Sequence, residues 1–110
     1  MKMRADIATL EDKRDKILSV CQMGSEGDIE HEIIILRGPK EFDFIDDQPG
    51  PRISCEDLGL DLEPGPEAVT FSGDCMKIVI AGHENIEVDI SRLSPEERKD
   101  LVKVAEALFQ

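Results

Sequence analysis

His31 stands between two carboxylates in Glu30-His31-Glu32, and His83 lies in Gly82-His83-Glu84-Asn85. Imidazole beside carboxylate is the donor set of a divalent-metal site or of proton transfer. Nothing in the spacing requires either chemistry. H-E-x-x-H is absent, and the two histidines meet only if the fold brings them together. Solvated turn and edge positions are the simpler reading of both. Asp43, Asp46 and Asp47 form a second oxygen-rich group, of the kind that binds Mg²⁺ or Ca²⁺. Pro49 interrupts the ligand series an EF-hand needs, so the preferred reading is a solvated acidic loop. Asp57, Asp61 and Glu63 are read in the same way.

The thiols are equally unspecific. Cys21, Cys55 and Cys75 are odd in number, with spacings of 34 and 20 and no C-x-x-C. That argues against a disulfide framework and a structural zinc site, and free thiols fit a reducing compartment. Cys75 and His83 invite a nucleophile–base pairing. They flank the two ends of one predicted strand, however, roughly 25 Å apart along an extended chain. Cys21 and Cys55 read as packing residues. G-x-S-x-G, G-x-x-x-x-G-K-[ST] and G-x-G-x-x-G are all absent. The sequence therefore points to no catalytic residue, no metal ligand and no cofactor, and to a protein that is not an enzyme.

Charge is the strongest compositional signal. Asp plus Glu number 25 and Lys plus Arg 13, for a formal charge of −12. Residues 1–21 are near neutral, with five basic and four acidic side chains. Residues 22–67 carry thirteen acidic side chains against Arg37, Lys40 and Arg52, a surplus of −10. Phosphate contacts need a basic face, so direct nucleic-acid binding is excluded as an expectation. A basic protein partner is the electrostatic complement, with fast and salt-sensitive association. Acidity that serves only solubility is the bland alternative. Asp43, Asp46, Asp47, Glu56, Asp57, Asp61 and Glu63 are the expected partner-binding residues.

These residues need elements to hold them. At 110 residues the chain is one domain's worth. Four Phe, no Trp and no Tyr leave the core to Ile, Val, Leu and Met. Met3, Ile7, Leu10, Arg14, Ile17 and Cys21 follow a 4-3-4-3-4 rhythm, which predicts a helix over residues 2–21. Strands are predicted over 31–37 and 41–45 as a hairpin about Gly38-Pro39, with a short extended piece at 52–55. Ser54-Cys55-Glu56-Asp57 has capping-box polarity and predicts one helical turn stopped by Gly59. Two proline-bearing breaks, 49–51 and 64–66, mark residues 46–66 as an acidic irregular region. Strand chemistry returns at 68–71, 76–81 and 86–90. A final helix is announced by Ser94-Pro95-Glu96-Glu97, with N-cap, Pro at N1 and Glu at N3.

The predicted fold is α+β: an antiparallel sheet of about five strands with an N-terminal and a C-terminal helix packed on one face, in a single domain over 1–110. Leu101, Val104, Ala105 and Leu108 make the inner face of the last helix, and Val102 and Phe109 widen it to roughly 160°. That surplus, with the stripe on the first helix, predicts a homodimer through Ile7, Leu10, Arg14, Ile17, Val102 and Phe109. No apolar signal region follows the charged residues 5–16, and the longest apolar run is Ile33–Leu36. A cytoplasmic protein with no membrane segment is expected.

The order of elements, the small size and the low pI resemble those of small acidic inhibitors from phages and mobile elements, DNA mimics among them. They also resemble those of the dimeric secretion chaperones of type III export systems. The first resemblance implies a non-catalytic module that binds and blocks a basic, nucleic-acid-binding protein. The second implies a chaperone or adaptor that cradles another chain. A small-ligand or divalent-metal protein is the third expectation. No motif carries either resemblance, and no residue role is transferred.

Overall fold

Leu18, Val20, Ile33, Ile35 and Ile53 are fully buried on three neighbouring strands, and their register stacks Leu18 on Ile35, Val20 on Ile33 and Ile35 on Ile53. The computed structural model describes residues 1–38 and 50–110. The strands are β1 (Lys2–Arg4), β2 (Ile7–Asp12), β3 (Lys16–Met23), β4 (Ile29–Arg37), β5 (Arg52–Cys55), β6 (Leu60–Pro64), β7 (Pro66–Ser72), β8 (Cys75–Ile80) and β9 (Ile86–Asp89). A 3-10 turn, Glu56–Leu58, separates β5 from β6, and among the described residues one helix, α1 (Pro95–Leu108), follows β9.

Among the described residues the strands form two sheets. One has five strands in the order β2-β3-β4-β5-β6, and the other four in the order β1-β9-β8-β7. Both sheets contribute to one core. Met76, Ile78, Ile86 and Val88 from the second sheet join the first-sheet residues and Leu101, Val104, Ala105 and Leu108 of α1. Each such aliphatic side chain is worth about 1.5–3 kcal/mol when fully removed from water. No helix among the described residues is long and apolar enough to cross a membrane.

The first correction concerns residues 2–21. They form β1, β2 and β3, not a helix. The heptad rhythm is coincidental with a period-two pattern: Leu18 and Val20 face the core while Ile17 and Ser19 face out. The break between β2 and β3 contains neither Gly nor Pro. It is closed instead by the Lys13 amide donating to the Asp15 carbonyl at 3.3 Å and by Lys16 Nζ at 2.8 Å from Asp12 Oδ1. The hairpin is rewarded by long-range pairing with β4, which an isolated helix would forgo.

The second correction follows from the first. Two sheets replace the single sheet, one helix replaces the pair, and the helix packs against β2, β3 and β7. The pairing is not purely antiparallel, because β1 lies parallel to β9, with Met3 opposite Val88. The predicted hairpin partner of β4, residues 41–45, lies outside the described residues; β4 pairs with β3 and β5. Residues 46–66 also hold more regular structure than expected, since β5 and β6 both fall within them.

The chain crosses between sheets at Ala5-Asp6. Ala5 is fully buried, and its amide donates to the Asp89 carbonyl at 2.9 Å while the Asp6 amide donates to the Cys21 carbonyl at 2.8 Å. The Asp6 carboxylate accepts from Arg4 Nε at 2.8 Å, Arg4 Nη2 at 2.9 Å, the Met23 amide at 2.8 Å and Arg92 Nη1 at 3.0 Å. One side chain thus pins β1, the end of β3 and the link after β9. The C-terminal helix starts as predicted. Ser94 Oγ accepts from the Glu97 amide at 3.1 Å, and Glu97 Oε1 accepts from the Ser94 amide at 3.0 Å. Its last turn has no basic residue of its own. Arg37 of β4 supplies one, donating to the carbonyls of Leu108 at 3.2 Å and Gln110 at 2.9 Å, where a cation complements the helix dipole.

Candidate functional site

An acidic concavity forms where β5 stops short. Ser54 and Arg52 pair with Ile34 and Leu36, but Cys55 already pairs with Leu60 of β6. The chain then leaves β4 through the 3-10 turn, which ends at Gly59 with φ +68°. That left-handed conformation suits glycine. The predicted helical turn is therefore present, though not by the predicted cap: Cys55 is its N-cap with no side-chain hydrogen bond, and Ser54 Oγ donates to the Leu60 carbonyl at 3.4 Å.

Between the turn and the first half of β4 lies a groove of about 540 Å³, lined by Glu30, His31, Glu32, Glu56 and Asp57 with Ile29, Ile34 and Ser54. All four carboxylate residues are exposed. Among the described residues no lysine or arginine lines the groove. His31 lies within it, with Nδ1 2.9 Å from Asp57 Oδ2 and Nε2 3.8 Å from Glu30 Oε1. The imidazole thus ties the turn to β4 and is held between two acids.

The structure brings Glu56 and Asp57 together with Glu30, His31 and Glu32. Asp61 and Glu63 are exposed on the edge strand β6 and do not line the groove. Asp43, Asp46 and Asp47 lie outside the described residues. Glu30 and Glu32 were not among the expected partner-binding positions. The signal for them was present: they alternate with His31 and Ile33, which places both on the outward side of a strand.

The expected self-association residues do not share one surface. Ile7 and Ile17 lie on the outward side of β2 and β3, Ile7 being 48% exposed. Leu10 and Phe109 pack against the core. Arg14 is in the β2–β3 turn, and Val102 is half-buried on α1. The stripe that united four of them belonged to a helix that does not form.

The thiol and metal readings find little chemistry. Burial pushes the Cys21 and Cys55 thiols up, away from the thiolate. Cys75 is half-buried beside a second cavity lined by Lys2, Asp74, Glu87 and Asp89, and His83 does not line it. Among the described residues no group of three or more His, Cys, Asp or Glu side chains is arranged to hold a metal ion.

No protein-family model matches the chain, and no curated protein matches it.

Proposed function

We propose that the protein is a non-catalytic interaction module that presents its acidic groove to a basic protein partner, and that it occupies the surface such a partner uses for nucleic acid. One observation carries the reading. Glu30, Glu32, Glu56 and Asp57 converge from two segments on a groove that, among the described residues, no lysine or arginine lines. A cationic segment entering it would exchange water for closely spaced carboxylates, a gain that weakens with salt. The surplus of −10 over residues 22–67 adds a longer-range field that speeds encounter. The dimensions suit a few side chains from another protein rather than a whole domain.

The test is capture from cells of the native host at low and at high salt, with the wild-type chain and with Glu30→Lys, Glu32→Lys and Glu56→Lys combined. The wild type retains a basic nucleic-acid-binding protein at low salt and releases it at high salt, and that protein loses its hold on DNA while captured. Recovery of the same proteins by the charge-reversed chain excludes the groove as the recognition surface.

A further inference from the structure

Along the groove β4 runs on past the end of β5, with the 3-10 turn held against it by His31 and Asp57. The Cys21 carbonyl is turned toward β2, where it accepts from the Asp6 amide at 2.8 Å. Backbone groups of successive residues alternate sides along a strand. Val20 is therefore turned toward β4, where it faces Ile33, and Glu32 is turned away from β3. Ile34, two positions on, has the same direction and meets Ser54 of β5. Glu32 would meet the next residue pair of β5, but β5 has ended at Cys55 and the chain has entered the 3-10 turn. Among the described residues no strand lies beyond Glu32 on that side.

We infer that the edge of β4 at Ile29–Ile33, once the His31–Asp57 contact is released, receives an extended, lysine- or arginine-bearing segment of the protein partner as an added strand. The inference rests on the reading of the groove as a basic-partner site and adds the mode of binding. The amide and carbonyl of Glu32 supply the backbone pairing that strand addition uses. Side chains of an added strand alternate faces, so every second residue falls beside Glu30 and Glu32 on the outward face. Those are the positions where lysine or arginine is favoured. Ile29, 56% exposed at the end of the edge, gives an apolar contact to the segment's terminus. A second copy of this chain is a poor occupant. Pairing β4 with another β4 would set Glu30 and Glu32 against the same carboxylates, and like charges facing each other across strands destabilise.

Four peptides test this against isotope-labelled protein at low salt. One is a seven-residue peptide alternating lysine with valine. Two copies are N-methylated on one or the other alternating set of amides, and the last has glutamate in place of lysine. The lysine peptide binds and slows hydrogen exchange at the Glu32 amide. N-methylation of one set weakens binding roughly tenfold, because the methyls face the edge and remove its hydrogen bonds. Methylation of the other set leaves binding unchanged, and the glutamate peptide does not bind. Equal binding by both methylated peptides, with resonances shifting around the groove, overturns strand addition while leaving acidic recognition standing. No binding by the lysine peptide overturns both.

Discussion

His31 Nδ1 lies 2.9 Å from Asp57 Oδ2, joining the first half of β4 to the 3-10 turn across 26 positions of sequence. The contact bridges the two walls of the acidic groove, at the place where β5 leaves β4. Because both side chains are partly exposed, His31→Ala is expected to cost only about 0.2–1 kcal/mol in global stability. The local effect is larger in kind. Hydrogen exchange at residues 56–58 quickens, while exchange in β3 and β8 is unchanged. Uniform quickening through the core would show that the imidazole supports the fold and not the groove.

Asp6 gives the clearest pH dependence. Hydrogen bonds from Arg4, the Met23 amide and Arg92 hold its carboxyl well below the usual carboxylate range. A group whose folded value is depressed contributes stability that is fully present above its unfolded value, about 3.9, and is lost as pH falls toward the folded one. The wild type therefore loses stability in acid partly through this group, and Asp6→Asn starts less stable at neutral pH but falls less steeply below pH 4. Urea midpoints followed down a pH series check this. Parallel curves for the two chains would remove Asp6 from the account.

Ser94→Ala removes half of an observed capping box and is expected to cost about 1 kcal/mol. Ser94→Asn, which keeps an accepting oxygen, recovers most of it. Thermal melts of the three chains measure both steps.

Arg37→Ala takes the cation from the end of α1. The dipole component alone is worth about 0.3–1 kcal/mol, and the carbonyls of Leu108 and Gln110 lose their donor. Fraying of the last helical turn, read as faster amide exchange at residues 106–110, accompanies the loss. Unchanged exchange there would mean that Arg37 does not hold the helix end.

How far the sequence could be read depended on whether each signal was local. The start of α1 was legible because Ser94, Pro95 and Glu97 act on their own backbone. Gly59 was legible as a stop for the same reason. Residues 2–21 were misread because the alternation in β2 is disguised. Ala8 is a small inward residue beside Leu10, while the large Ile7 faces solvent, so apolar size does not track burial. The β2–β3 turn carries only charged residues, and it is closed by one backbone and one side-chain contact that no turn signature marks. The groove was half legible. Glu56 and Asp57 were singled out for charge, but their meeting with Glu30 and Glu32 follows from where β5 ends against β4. That register is a long-range fact of sheet pairing, and nothing in either segment alone announces it.

We propose these carboxylates as the surface that recognises a basic partner. The most direct measurement is the dissociation constant of the captured partner for the wild-type chain and for the combined Glu30→Lys, Glu32→Lys and Glu56→Lys chain, both shown to be folded by circular dichroism. At low salt the reversed chain is expected to bind at least roughly tenfold more weakly, with the gap narrowing as salt is raised. Equal affinity of the two chains at low salt would contradict the account.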